Sequence, residues 1–171
     1  IFVLLISTMM IPGYVTLIPN FAIMVKLKLL NSHWALILRS ALSGSATSIF
    51  LFRQFFLSIP RDLENAAIVD GCSWPGVFFR IIMPNSKPAI ATVIILSFRS
   101  TWNSFLWPQL VLQTDRLWTW TLALKILSES ETNQAVLLAG SVISILPILI
   151  IYLACQKYFV NSQVSAGFGG T

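Results

Sequence analysis

Charged residues are scarce in this chain of 171 residues. Asp, Glu, Lys and Arg together make up 10% of it, whereas hydrophobic residues make up 56%. In soluble domains about a quarter of the residues are charged, because an ionic surface keeps the folded chain in water. The composition therefore excludes most soluble enzymes and indicates a membrane protein.

Residues that commonly carry catalysis or bind metals are also rare. His33, the one histidine, has no Cys, Asp or Glu at ligand spacing, and the two cysteines, Cys72 and Cys155, lie far apart in the sequence. This pattern indicates neither a zinc site nor a disulfide framework. We expect no catalytic residue, no metal site and no cofactor.

A nucleotide-binding motif and a basic patch are missing as well. The sequence contains no GxxxxGKS or GxxxxGKT loop, so ATP hydrolysis is expected in a separate subunit. The 11 Lys and Arg residues give a net charge of +5 but are scattered between apolar stretches, as in loops that flank membrane spans. We therefore expect contact with membrane lipid and not with nucleic acid.

Four apolar runs are long enough to cross a membrane as helices. They cover approximately residues 1–27, 34–57, 88–112 and 135–159, and a spanning helix needs about 20 residues. Barrel strands are shorter and alternate in polarity, so the runs predict helices. The expected fold is all-α, a polytopic transmembrane helical bundle. Because the chain starts inside an apolar run and without Met, we expect it to be a fragment.

Helix-breaking and polar residues within the spans are candidates for a solute path. Pro12 and Gly13 are expected to kink the first run, because proline removes a helical hydrogen bond and clashes with the preceding turn. On the third run, Trp102 and Asn103 offer a stacking surface and hydrogen-bonding groups to a sugar. Core packing is the alternative interpretation for both.

Two arginines lie within the predicted spans. Arg99 falls near the middle of its span, where an arginine costs about 3 kcal/mol unless it finds water or a partner. We therefore expect it to face a polar cavity or a partner subunit. Arg39 is only a few residues from Trp34 at the span end, and we expect its side chain to reach the lipid headgroups.

The 30 residues from Ser58 to Lys87 predict two short helices on the membrane surface. Pro60 suits a first helical turn, Glu64 complements the helix dipole, and Gly71 can take the left-handed conformation that ends a helix of about 10 residues. Trp74 and Pro75 can then open a second helix. An amphipathic loop that simply rests in the headgroups is the alternative interpretation.

The second surface helix is predicted to end at Pro84. Its Phe78, Phe79, Ile82 and Met83 supply hydrophobic anchoring area, and Pro88 is expected to begin the third span.

The string LENAAIVDG, followed at short distance by FFRIIMPNSKP, resembles the EAA loop of ABC importer permeases. Six segments resemble the carbohydrate-uptake branch of that family in the same order, namely MMIPGYVTLIPNF, WALIL, IFLFRQFF, SIPRDLENAAIVDG, WNSFLWP and QKYFV. The resemblance implies a type I ABC importer permease in the bacterial inner membrane. It also implies that residues 1–171 form a single permease domain with about four of six spans, lacking amino-terminal helices.

The same resemblance implies a role for the loop and a set of partners. Residues 58–87 would be a cytoplasmic coupling loop that docks on an ATPase dimer, while a second permease completes the pore and an extracytoplasmic solute-binding protein delivers the sugar. The position of the family's glutamate is occupied by Asn65, one residue after Glu64. The docking residues are expected to be Glu64, Asn65, Ala66, Ala67, Asp70, Gly71 and Pro84.

Two other classes of membrane protein fit less well. A secondary transporter normally shows an internal repeat and an ion-coupling acid inside the membrane, but all six acidic residues fall in predicted loops. A membrane enzyme would need His, Asp or Glu clustered at one membrane face. The secondary transporter is the alternative that remains.

Overall fold

The computed structural model describes residues 2–42, 45–130 and 133–167, which form helices and turns with no strand among them. Contacts divide the chain into two compact units. The first unit combines Ile1–Ala46 with Phe98–Leu149, and the second combines Thr47–Ser97 with Ile150–Thr171. The single permease domain expected over residues 1–171 stays a prediction.

Eleven α-helical segments follow one another along the described part of the chain. Two 3-10 turns, Thr8–Met10 and Asp115–Leu117, and one π-helical turn, Phe78–Ile82, lie between them. The helices are α1 (Phe2–Ser7), α2 (Leu17–Lys26), α3 (Trp34–Leu42), α4 (Ala46–Ser58), α5 (Arg61–Val69), α6 (Trp74–Val77), α7 (Met83–Asn85), α8 (Lys87–Trp102), α9 (Leu106–Val111), α10 (Trp120–Glu129) and α11 (Gln134–Gly167).

The fourth apolar run is a continuous helix, as predicted. Within α11, residues Gln134–Tyr158 form 25 residues that are long and apolar enough to cross a membrane. Pro147 lies inside this helix without ending it. Counted by length and composition in the described residues, α11 is one such span, and two further spans result if each bent pair of helices is counted as one.

The second and third runs are interrupted. Helices α3 and α4 qualify as a span only as a pair, and residues 43 and 44 between them lie outside the described part. The prediction of one helix over 88–112 was wrong, because α8 ends at Trp102 and α9 begins at Leu106. Pro108 explains the break, since in a continuous helix its ring would clash with the carbonyl of Ser104.

The first run is broken and not merely kinked, so the predicted single helix over 1–27 was wrong. Helix α1 ends at Ser7 and α2 begins at Leu17, with a 3-10 turn and a non-helical stretch between them. Pro12 cannot donate an amide to the carbonyl of Thr8 as an α-helix requires. The chain turns instead, and the amide of Val15 donates to the carbonyl of Pro12 at 3.0 Å.

The core of the first unit lies where α2, α3 and α9 pack together. Its buried residues are Met24, Ala35, Trp107, Val111 and Leu112. The indole Nε1 of Trp107 donates a hydrogen bond of 3.2 Å to the carbonyl of Ala35, so the largest core side chain joins α9 to α3.

Candidate functional site

Helix α5 of the predicted coupling loop ends in a fully hydrogen-bonded cap. Gly71 has φ +83°, the left-handed conformation predicted for it. Its amide donates to the carbonyl of Ile68 at 2.9 Å, and the amide of Cys72 donates to the carbonyl of Ala67 at 2.9 Å. These two bonds are the Schellman motif, which satisfies the last carbonyls of a helix. The helix covers nine residues, close to the predicted ten.

The second surface helix runs past its predicted end. Helix α6 begins at Trp74 with Pro75 in its first turn, as expected, and continues through the π-helical turn into α7. The predicted end at Pro84 lies one residue before the observed one, since α7 ends at Asn85. Helix α8 then begins at Lys87, next to the predicted Pro88.

The predicted docking residues face different environments. Ala66, Asp70, Gly71 and Pro84 are exposed, whereas Ala67 is only 7% exposed and packs inside the loop. Because these four residues are exposed, a partner can reach the Ala66 side of α5 and the cap at its end.

Glu64, which is half-buried, and Asn65, which is exposed, both line a cavity of about 1150 Å³ within the second unit. Aromatic residues of α4 and of the π-helical turn form much of the remaining wall, among them Phe52, Phe56 and Phe78. The rings of Phe56 and Phe78 meet edge to face with centroids 6.5 Å apart. This contact fixes the loop to α4.

Three large hydrophobic side chains are the most exposed ones of the loop. Val69 at the end of α5 is 87% exposed, Trp74 is 69% exposed and Phe79 is 65% exposed. Phe79 was predicted to supply anchoring area, whereas Val69 and Trp74 were not among the predicted docking residues. An exposed tryptophan beside exposed small residues is typical of a protein interface. This combination could have identified Trp74 as a docking residue.

A second cavity, of about 280 Å³, lies in the first unit and gathers part of the predicted solute path. Gly13 and Asn103 both line it. Arg39 lines it too, although the sequence led us to expect this arginine at the headgroups. The guanidinium carbon of Arg39 lies 4.4 Å from the centroid of the Trp107 ring, and Trp107 is a core residue distant in sequence.

The other predicted path residues do not line this cavity. Trp102 donates from its indole Nε1 to the carbonyl of Ser144 at 3.1 Å and stacks on Phe98 with ring centroids 5.6 Å apart. Trp102 therefore contacts its own helix and α11, and its place in a solute path stays a prediction. Arg99 and Pro12 are exposed, and their roles stay predictions.

The chain matches a known family over most of its length. The family model described as "Binding-protein-dependent transport system inner membrane component" matches residues 1–162. The chain is 42% identical over 171 residues to the arabinooligosaccharides transport system permease protein AraQ of Bacillus subtilis, an alignment that covers 99% of this chain and 60% of that protein. It is 36% identical over 169 residues to the sn-glycerol-3-phosphate transport system permease protein UgpE of Salmonella typhi, covering 96% and 59%.

A solved structure agrees with these relatives. A chain of a bacterial ABC transporter involved in the import of the acidic polysaccharide alginate superposes with a TM-score of 0.73 at 28% identity, covering 91% of this chain and 60% of that one. This chain thus spans about 60% of the length of the proteins it matches. The helical fold is that of an ABC importer permease, and the chain belongs to the family of binding-protein-dependent transport system inner membrane components.

Proposed function

We propose that this chain is part of the permease subunit of an ABC importer for sugars, and that residues 58–87 are its cytoplasmic coupling loop. Members of its family are membrane transport components and not enzymes. In the proposed importer, a separate cytoplasmic ATPase dimer hydrolyses ATP. A second permease completes the pore, and an extracytoplasmic binding protein delivers the solute.

The observation that carries this proposal is the surface of the loop. The capped end of α5 exposes small residues and Asp70 next to Val69 and Trp74. Apolar side chains that protrude from a rigid scaffold fit a cleft on a partner, because little conformational entropy is lost when they are buried. A loop that only rested in the headgroups would not need a fixed cap.

The attachment of the loop supports a mechanical role. The contact between Phe56 and Phe78 joins the loop to α4, and the loop runs through α7 into α8 with Ser86 buried between them. The hydroxyl of Ser86 donates to the carbonyl of Ile82 at 2.6 Å. A displacement of the loop is therefore transmitted to the helices as rigid-body motion, the usual basis of alternating access.

The names of the relatives support a sugar as the solute. One relative is named for arabinooligosaccharides, another for sn-glycerol-3-phosphate, and the matched structure imports alginate. Polyhydroxylated solutes are common to all three. We infer a saccharide or a related polyol derivative for this chain.

The test uses the full-length protein produced together with its importer partners. Val69→Asp places a charge on the most exposed apolar residue of the loop and is expected to reduce the co-purified ATPase about tenfold, the effect of losing one interface anchor. ATP-dependent uptake into proteoliposomes should fall with it.

Val136→Asp is the matched control. Val136 is also exposed, 49%, but lies in the first turn of α11, where an acidic residue is tolerated. This variant should retain the ATPase and its uptake. A full-length protein that purifies alone and transports without ATP would instead support the secondary transporter.

A further inference from the structure

Two interruptions of the helices open onto one cavity in the first unit. Gly13 and Tyr14 come from the break between α1 and α2, and Asn103, Ser104 and Phe105 come from the break between α8 and α9. Within a membrane, backbone outside helices is tolerated where it is buried in protein or lines a water-filled cavity. In transporters such broken helices surround the substrate site.

Arg39 contributes a positive charge to this cavity from α3. Its guanidinium lies over the ring of Trp107, with 4.4 Å between the guanidinium carbon and the ring centroid. Trp107 is 4% exposed and is held by its hydrogen bond to Ala35. A cation–π contact of this kind does not use the N–H donors of the guanidinium, so they stay available for hydrogen bonds to a ligand.

Among the described residues, Arg39 forms no ion pair. The two described acids of the first unit are engaged elsewhere. Glu129 pairs with Lys125 at 3.1 Å, and the carboxylate of Asp115 accepts a bond of 2.8 Å from the amide of Arg116; Glu131 lies outside the described residues. The charge of Arg39 therefore has no carboxylate in the described part of the chain to neutralise it.

We propose that this cavity binds an anionic group of the solute, a carboxylate or a phosphate carried by a sugar, with Arg39 as its charged contact. The inference rests on the proposed function and specifies its solute class. Asn103, Ser104 and Tyr14 add amide and hydroxyl groups for the neutral part of the solute. A cavity of about 280 Å³ is at the lower end of ligand pockets, about 300–1,000 Å³, and fits one sugar unit.

A guanidinium in such a place favours an anion over a neutral sugar for a physical reason. A neutral sugar needs only dipolar partners, whereas a guanidinium that is partly removed from water, as Arg39 is, is stabilised by a counter-ion. An anionic oxygen pair matches the two parallel N–H donors of a guanidinium. The same contact discriminates against cationic solutes by repulsion.

The experiment measures equilibrium binding of four probes to the purified, full-length importer complex. Galacturonate and glucose 6-phosphate are the anionic probes, and galactose and glucose are their neutral counterparts. We expect at least one anionic probe to bind about tenfold or more tightly than its counterpart, and its affinity to fall as salt is raised. The two pairs distinguish a carboxylate from a phosphate.

Arg39→Gln should remove this preference, so that the anionic and neutral probes bind with similar affinity. Arg116→Gln is the matched control, because Arg116 is an exposed arginine of the first unit that does not line the cavity, and the preference should persist in it. The salt dependence of the wild-type complex gives the same information without a mutation.

Three results would overturn the inference: binding of neither anionic probe, equal affinity for charged and neutral probes, or an undiminished preference in a folded Arg39→Gln complex. Coupling of ATP hydrolysis to uptake is measured in the same preparation. A coupled importer without charge preference refutes the anion site alone, whereas charge-dependent binding without an associated ATPase refutes the proposed function alone.

Discussion

The backbone amide of Cys72 donates a hydrogen bond of 2.9 Å to the carbonyl oxygen of Ala67. This bond closes the end of α5 around Gly71 and fixes the direction in which the chain continues towards α6. Because the turn is determined by backbone hydrogen bonds and one left-handed residue, it holds its shape without burying the side chains around it. The exposed loop therefore has a surface of defined shape to which a partner can bind.

Gly71→Ala should destabilise the loop by about 1 kcal/mol, the cost of an L-residue in the left-handed region. The added Cβ would meet nothing within 4 Å, so the loss is conformational and not steric. Gly71→Asn should lose less, because asparagine tolerates this conformation. Thermal unfolding of the full-length complex and the ratio of ATP hydrolysed to solute taken up are the measurements.

Gly13→Ala is the control for stability. Its Cβ would also meet nothing within 4 Å, and its backbone is not in the left-handed region. An unfolding midpoint of Gly71→Ala equal to that of Gly13→Ala, together with normal coupling, would contradict the role of the cap.

Asn31→Ala should lower the stability of the first unit by about 2 kcal/mol or more. The side-chain oxygen of Asn31 accepts bonds of 3.0 Å from the amides of Gln113 and Thr114, and its amide donates to the hydroxyl of Thr114 at 2.8 Å. Its own φ is +56°. The substitution removes three hydrogen bonds of about 1 kcal/mol each and leaves alanine in a left-handed conformation.

Asn31→Asp is the informative comparison. It keeps the acceptor for both amides and loses only the donor to Thr114, so its unfolding midpoint in detergent should lie between those of the wild type and Asn31→Ala. Equal losses in both variants would show that the two amide contacts contribute nothing.

Trp107→Ala and Trp74→Ala should separate stability from function. Trp107 is 4% exposed in the core, so its truncation should cost about 3–5 kcal/mol. Trp74 is 69% exposed, so its truncation should change the unfolding midpoint little while reducing the amount of bound ATPase. Thermal unfolding and co-purification of the two variants check this. A larger loss of stability in Trp74→Ala than in Trp107→Ala would contradict the assignment of Trp74 to an exposed docking surface.

Much of the loop was predictable because its conformation depends on neighbouring residues. The left-handed Gly71, the extent of α5, and the start of α6 near Pro75 all follow from local backbone preferences. The predicted end at Pro84 is one residue from the end of α7, whereas the π-helical turn before it was not predicted.

The proposed solute cavity was less predictable because its residues come together only through packing. Arg39 was placed at the headgroups from its sequence distance to Trp34, but its environment is set by Trp107. Trp102 and Asn103 are adjacent in sequence and face different surroundings, one packed against Phe98 and the other lining the cavity. The break between α8 and α9 separates them.

The sequence by itself determined that this chain enters a membrane as helices, that residues 58–87 resemble the loop of importer permeases and that this segment turns at Gly71. The length of an apolar run and the backbone preference of a residue depend on neighbouring residues, so the sequence alone is enough to predict them. Only the tertiary structure decided which polar groups meet, because the pairing of Arg39 with Trp107 and the opening of two helix breaks onto one cavity depend on contacts between segments far apart in the chain.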